Sequence, residues 1–223
     1  MIGKTDFEGL GIKALVSDFD ETLSEPYGVL PDDLARELIE AIASAHLTLI
    51  IVSGRPLDFL STKAEKLGCS DYVAENGNIV VSKECGVRIL SSGAEITPLF
   101  DPVVYEVKQT IVEFPQKLEG EAFQILEDAG VDYCIERNNG RTMVMPPDTS
   151  KINGLRVLLD DLGIKLDEVI AFGDGENDIS FMREAKVSVA VANAHQGVKD
   201  VADYVSGKPY GGGVLEFLMG CVL

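Results

Sequence analysis

The chain is organised around residues 12–23, Ile-Lys-Ala-Leu-Val-Ser-Asp-Phe-Asp-Glu-Thr-Leu, in which a largely apolar run stops abruptly at two aspartates. A short apolar run bounded by polar residues is typical of a strand buried on both faces of a parallel sheet. Ligands of open parallel sheets bind beyond the carboxyl ends of the strands. The stretch therefore predicts a buried strand from Ile12 to Ser17 that delivers Asp18 and Asp20 to such a site.

The same texture, in which strands alternate with helices, continues on both sides of this stretch. Further buried strands are predicted over residues 47–52, 72–74, 169–172 and 187–191, with a short one near 204. Helices with apolar residues at helical spacing are predicted after Pro31, Pro56 and Ser150 and around residues 179–184. This order predicts an α/β fold, a Rossmann-like doubly wound parallel sheet.

The pattern changes between residues 83 and 149. Asn76-Gly77 and Asn138-Asn139-Gly140 are hairpin signals between short strands, the second pair covering residues 131–137 and 142–145. Two helical patterns lie between them, one over residues 103–111 and one over 120–129. We therefore expect a smaller α+β cap domain, residues 83–149, inserted into a core made of residues 1–82 and 150–223.

Composition excludes several classes of function. The 223 residues include 37 acidic and 19 basic side chains, a net charge of −18, and no Lys/Arg stripe, so nucleic acid and anionic membranes are poor partners. The four cysteines form no ligand cluster, which argues against zinc and dithiol redox chemistry. No run approaches the ~20 apolar residues of a membrane span, and Met1–Asp6 shows no signal segment. We expect a cytoplasmic monomer or homodimer.

Other polar residues fall at the same predicted edge of the sheet, either after a strand or at the start of a neighbouring helix: Ser53, Lys151, Asp174 and Asp178. With Asp18 and Asp20 they form a set of four carboxylates, one hydroxyl and one ammonium. Oxygen ligands without His or Cys favour a hard cation such as Mg²⁺. A calcium-binding EF-hand is excluded, because Ile179 stands where that loop requires glycine.

These residues carry a resemblance to a known family. Asp18–Leu23, Ser53-Gly54-Arg55, Lys151 and Gly173–Asp178 resemble, in order and spacing, the four motifs of haloacid dehalogenase-superfamily phosphatases. The insertion resembles the α/β cap of the Cof-like branch, and its small size is similar to that of archaeal phosphoglycolate phosphatases. One departure is Glu21, where glycine is usual.

The resemblance implies a role for each matching residue. Asp18 would be the nucleophile that forms an aspartyl-phosphate, and Asp20 the acid that protonates the leaving oxygen and then the base that activates water. Mg²⁺ would be held by Asp18, the carbonyl of Asp20, Asp174 and Asp178. The phosphoryl group would be bound by Ser53, Gly54 and Lys151. Asn177 would either join them or fix the metal loop.

We therefore expect a Mg²⁺-dependent phosphatase of a small phosphorylated metabolite, with 2-phosphoglycolate as the leading substrate. A sugar-phosphate phosphatase, a phosphomutase and a family member that only binds metabolites are alternatives. A receiver-like signalling module phosphorylated on aspartate is an alternative of another class, although it needs neither the cap nor Asp20. Arg55 is expected to reach either the substrate or a carboxylate, and His46 and His195 to be solvated or capping.

Overall fold

The computed structural model describes residues 9–222, which form two sheets and seven α-helices. The strands are β1 (Ala14–Ser17), β2 (Thr48–Val52), β3 (Asp71–Ala74), β4 (Ile79–Ser82), β5 (Gly86–Ile89), β6 (Glu106–Val107), β7 (Val112–Pro115), β8 (Cys134–Asn138), β9 (Arg141–Met145), β10 (Val169–Gly173), β11 (Val187–Ala190) and β12 (Tyr204–Val205). The helices are α1 (Asp32–Ser44), α2 (Leu57–Lys66), α3 (Glu119–Ala129), α4 (Lys151–Leu162), α5 (Ile179–Met182), α6 (Gln196–Lys199) and α7 (Tyr210–Phe217).

The larger sheet has the strand order β12-β11-β10-β1-β2-β3-β4-β5 and is parallel from β12 to β3. The chain moves outward from β1 to β5 and later returns to the other side of β1 with β10, so strand order reverses at β1. Ser17 at the end of β1 pairs with Phe172 near the end of β10. The predicted α/β fold is confirmed, and its topological switch point lies between these two strands.

The core of this sheet explains why its strands are continuous apolar runs. All four residues of β1 are fully buried, as are Ile50 and Ile51 in β2. Helices cover both faces, for example through Leu38 of α1 and Leu155 of α4, neither of which is exposed to solvent. Each such aliphatic side chain contributes about 1.5–3 kcal/mol through burial, which holds the strand ends in place around the switch point.

The second sheet, of order β6-β7-β9-β8, is antiparallel, and its two faces differ in chemistry. Val112, Phe114 and Val144 alternate along β7 and β9 and pack against α3 through Leu126. The intervening residues, among them Glu113, point to the opposite face. That face closes a cavity over the switch point of the larger sheet.

The helix predicted over residues 103–111 is wrong. Residues 102–105 form turns, held by the amide of Val103 on the Asp101 carboxylate, and the chain then enters strand β6. Val103 is 90 % exposed rather than part of an apolar helix face. Helical spacing over so short a run also arises by chance, and valines favour extended backbone.

Several local predictions are confirmed. The side chain of Ser150 accepts the amide of Asn153 and begins α4, and Gly163 ends that helix in the left-handed conformation. The second hairpin forms as strands β8 and β9.

One segment lies elsewhere than expected. Residues 86–89, predicted to belong to the insertion, form β5 at the edge of the larger sheet.

The division into core and cap stays a prediction. The expectation of a missing signal segment rests on Met1–Asp6, which lie outside the described residues. Within residues 9–222, every helix is too short or too polar to cross a bilayer.

Candidate active site

The switch point brings together the two acidic motifs that end β1 and β10. Asp18 directly follows β1, and its amide donates to the carbonyl of Phe172 at 3.1 Å. Asp174 directly follows β10. Both carboxylates are buried, Asp18 to 5 % and Asp174 to 6 % exposure. Two residues 156 positions apart in the chain thus meet because parallel strands carry them to the same edge.

Lys151 is the cation of this cluster. It is the first residue of α4, is buried, and places its Nζ 2.6 Å from an oxygen of Asp18 and 2.6 Å from an oxygen of Asp178. Burial and the helix dipole at this end both disfavour an ammonium. The carboxylates of Asp178 and Asp18 outweigh that burial and raise the pKa of Lys151 above its ordinary value. Lys151 therefore stays charged.

The loop after β10 is held by its own hydrogen bonds. The second carboxylate oxygen of Asp178 accepts the amides of Asp174 and Gly175, at 3.0 and 2.9 Å. Thr22, in the first acidic motif, donates its hydroxyl to Asp174 at 2.7 Å. A Cβ on Gly173 would lie 2.6 Å from the Cβ of Asp178, so this close turn requires glycine. The loop fixes Asp174 and Asp178 before any ligand binds.

Asp18, Asp174 and Asp178 form a candidate metal site. Each offers a carboxylate oxygen, and these oxygens lie within 4.8 Å of one another; no other such group of acidic, histidine or cysteine side chains occurs in residues 9–222. Burial and then repulsion from Asp178 raise the pKa of Asp174 to about 7. Burial also raises the pKa of Asp18 well above its ordinary value, although Lys151 opposes this. One ammonium, that of Lys151, faces these three carboxylates, and their oxygen donors suit a hard divalent cation such as Mg²⁺.

Asp20 lines the same cavity but its carboxylate does not join this cluster. It accepts three hydrogen bonds from Arg55, two from Nε at 2.9 and 3.1 Å and one from a terminal nitrogen at 2.7 Å. Of the two roles expected for Arg55, the structure shows the pairing with a carboxylate. Each residue of this ion pair is about one-third exposed.

The remaining predicted residues also line the cavity. The hydroxyl oxygen of Ser53, which directly follows β2, accepts the amide of Arg55 at 3.1 Å and keeps its own proton for donation. The side-chain amide of Asn177 donates to Asn76, whereas its buried oxygen has no partner within the described chain. His195 is the N-cap residue of α6, and its backbone amide donates to the carbonyl of Asp174 at 2.9 Å.

Sequence reasoning missed the residues that close the cavity from the second sheet. Lys108, Glu113 and Arg141 line it opposite the acidic cluster and are linked by ion pairs. The alternation of Val112-Glu113-Phe114 is the signal that could have placed Glu113 on the cavity side. The incorrect prediction of a helix over residues 103–111 gave no reason to place Lys108 at the cavity. The cavity measures about 550 Å³, room for a small metabolite.

Comparison with known proteins agrees with this geometry. Residues 15–93 and 88–218 match the sequence profile of the haloacid dehalogenase-like hydrolases. The chain belongs to this family, and it is a phosphatase.

Two curated relatives are phosphoglycolate phosphatases. That of Methanothermobacter thermautotrophicus is 30 % identical over 92 % of this chain and 96 % of the relative. That of Sulfurisphaera tokodaii is 28 % identical over 92 % of each. The solved structure of a subclass IIB sugar phosphatase of the superfamily superposes with a TM-score of 0.68 at 22 % identity, over 87 % of this chain and 93 % of that one. At that identity the likeness concerns the fold.

Proposed function

We propose that the protein hydrolyses the phosphomonoester of a small metabolite in a Mg²⁺-dependent reaction that passes through an aspartyl-phosphate on Asp18. The observation that carries this proposal is the buried cluster in which Lys151 bridges Asp18 and Asp178 next to Asp174, at the floor of a cavity. Buried carboxylates this close together are costly unless they serve a ligand. The family membership supports the same reaction class.

Asp18 has the position of a nucleophile. Lys151 binds one of its oxygens, which leaves the other for attack on phosphorus. Mg²⁺ would be held by Asp18 and Asp174, with Asp178 completing or supporting the set, and it would neutralise the charge of the carboxylates and of the phosphoryl group. Lys151 favours the ionised carboxylate that attack requires, against the effect of burial.

The proton transfers fall to Asp20. When the Asp18 oxygen bonds to phosphorus, the ester P–O bond breaks and Asp20 gives its proton to the leaving alkoxide. In the second half, Asp20 takes a proton from a water whose oxygen attacks phosphorus, and the bond to Asp18 breaks to release phosphate. Because Asp20 is paired with Arg55 in this structure, it must leave that partner and take a proton from water before it acts as the acid. Ser53 donates to the phosphoryl oxygens throughout.

We propose 2-phosphoglycolate as the substrate, supported by the names of the archaeal relatives and by the small cavity. A sugar phosphate is the second candidate. Glu106 and Glu113 line the cavity and could accept hydrogen bonds from sugar hydroxyls, and a sugar phosphatase shares the fold.

Asp18→Asn tests the proposal, because asparagine keeps the shape of the side chain but is a poor nucleophile. Wild type should release phosphate from 2-phosphoglycolate with Mg²⁺, stop on exhaustive chelation, and recover when Mg²⁺ is returned. The variant should lose at least ~10³-fold in kcat with an unchanged circular dichroism spectrum. A rapidly acid-quenched wild-type sample should carry one phosphoryl group, mapped to Asp18 by mass spectrometry. Turnover by the variant, or by the chelated wild type, contradicts the proposal.

A further inference from the structure

Lys108 is a buried cation with spare hydrogen-bonding capacity in the wall of the cavity. Its side chain is 3 % exposed, and its Nζ donates to the carbonyl of Gly54 at 2.9 Å and to Glu113 at 2.5 Å. An ammonium has three N–H donors. The next carboxylate oxygen, from Glu106, is 3.7 Å away, so the third donor has no hydrogen-bond acceptor among residues 9–222. A buried donor of this kind calls for a ligand.

Lys108 has only a share of the buried carboxylate that neutralises it. Glu113 is shared between Lys108 and Arg141, and these two cations hold the pKa of Glu113 below its ordinary value although the residue is largely buried. Glu106 bonds to Arg141 at 2.8 Å, and these side chains are 49 and 37 % exposed, so water screens both charges. The ammonium of Lys108, which is 3 % exposed, shares its one buried carboxylate with Arg141, and an anionic group is the complement for its spare donor.

The chain that carries Lys108 is fixed against the predicted phosphate-binding loop. Glu75, which is fully buried, accepts the amides of Gln109 and Thr110 at 3.0 and 2.7 Å. The amide of Glu75 in turn donates to the carbonyl of Arg55 at 3.0 Å. Lys108 is therefore held in position before substrate binds, as preorganised recognition requires.

We infer that Lys108 binds a carboxylate of the substrate, which makes the substrate class the short phosphorylated carboxylic acids. This inference rests on the proposed function. Lys108 contacts Gly54, and Gly54 follows Ser53, the residue proposed to bind the phosphoryl oxygens. In 2-phosphoglycolate the carboxylate carbon lies two bonds beyond the ester oxygen, so the group that distinguishes the substrate comes next to the phosphoryl subsite, where Lys108 stands.

The test compares 2-phosphoglycolate with ethyl phosphate, which has a methyl group in place of the carboxylate. Wild type should prefer 2-phosphoglycolate. Lys108→Met should lower kcat/KM for 2-phosphoglycolate by about 100-fold, mostly through KM, and change that for ethyl phosphate less than about threefold. Lys108→Gln, which keeps a donor for Gly54 but no charge, should lose the same preference. Arg141→Met, the matched control with the same charge change in the same cavity, should keep most of it.

The outcomes separate the inference from the proposed function. If wild type hydrolyses neither ester but releases phosphate from a sugar phosphate with Mg²⁺, the inference is overturned and the phosphatase stands. If it hydrolyses no phosphomonoester with Mg²⁺, the proposed function fails. If wild type hydrolyses both equally well, or if Lys108→Gln loses both activities in parallel, Lys108 only ties the second sheet to Gly54 and the inference is overturned while the phosphatase stands. The inference is also overturned if Arg141→Met abolishes the preference and Lys108→Gln retains it. Thermal melting curves establish that each variant is folded, and the glutamine variant carries the test if the methionine variant does not fold.

Discussion

Replacing Lys151 by Met is predicted to destabilise the metal-free protein by about 3–5 kcal/mol. The ammonium is 2 % exposed and bridges Asp18 and Asp178 at 2.6 Å each. Methionine fills much of the space of the aliphatic stem, so the loss is chiefly one of charge. It leaves three carboxylates whose oxygens lie within 4.8 Å of one another without a cation. Protonation of one carboxyl group limits the penalty.

The dependence on pH gives this prediction its sign. A carboxyl group with a folded-state pKa above the unfolded value contributes stability at low pH that is lost as the pH rises. Asp18 and Asp174 already have raised pKa values, and loss of the Lys151 ammonium raises them further. In urea unfolding with a chelator, the deficit of Lys151→Met relative to wild type should therefore be larger at about pH 8 than at about pH 5. Saturating Mg²⁺ should reduce it at the higher pH.

Arg55→Met is the matched control, because it also removes a cation from the cavity. The ion pair of Arg55 with Asp20 is about one-third exposed on each side, so its loss should cost only about 0–1 kcal/mol. The reasoning is refuted if Lys151→Met loses no more stability than Arg55→Met, or if its deficit is the same at both pH values.

Two further predictions concern the apo protein and the close packing beside the site. Asp174 has a pKa of about 7 in the folded protein against 3.8 in the unfolded chain. As the pH rises through this range, metal-free wild type should become less stable than Asp174→Asn by up to about 4 kcal/mol. Chemical unfolding at a series of pH values checks this, and a difference in unfolding free energy that does not change with pH contradicts it. Gly77→Ala places a methyl group 1.9 Å from the carbonyl oxygen of Ser150, at a φ of +110°, and should lower the free energy of unfolding by more than about 3 kcal/mol. Gly86→Ala is also at positive φ but its methyl group meets no atom, so it should lower that free energy by only about 1 kcal/mol. Equal thermal shifts for the two alanine variants would argue against that crowding.

The parts of the molecule that sequence could predict are those where one local rule decides the structure. A strand buried on both faces excludes carboxylates, so the first carboxylate after the apolar run marks its end, and this placed Asp18 after β1 and Asp174 after β10. Ser150 and Gly163 likewise marked the two ends of α4 through capping. Topology then brings these ends together, so the acidic cluster with Lys151 follows from local patterns and the rules of parallel sheets.

The parts that sequence could not predict depend on contacts between distant segments. Asp20 pairs with Arg55, 35 residues away, rather than joining the acidic cluster, and nothing in either neighbourhood selects that partner. Lys108 meets the carbonyl of Gly54 only because the connection before β7 is extended. In residues 103–111 the valines have helical spacing by coincidence, and the folded chain forms turns and a strand instead.

The charge of the cavity connects the acidic composition to the proposed chemistry. The cavity is lined by seven carboxylates and four cations, so it has an excess of acidic side chains, as the whole chain does. A phosphate ester approaching this cavity meets net negative charge at long range and also at the floor, where only Lys151 is cationic. Long-range steering therefore cannot supply the affinity, which must come from contacts made at short distance. Under the proposed function, substrate binding therefore depends on Mg²⁺, on Lys151 and on the spare donor of Lys108. Lys151 and Lys108 are only 2 and 3 % exposed, so water screens their charges little.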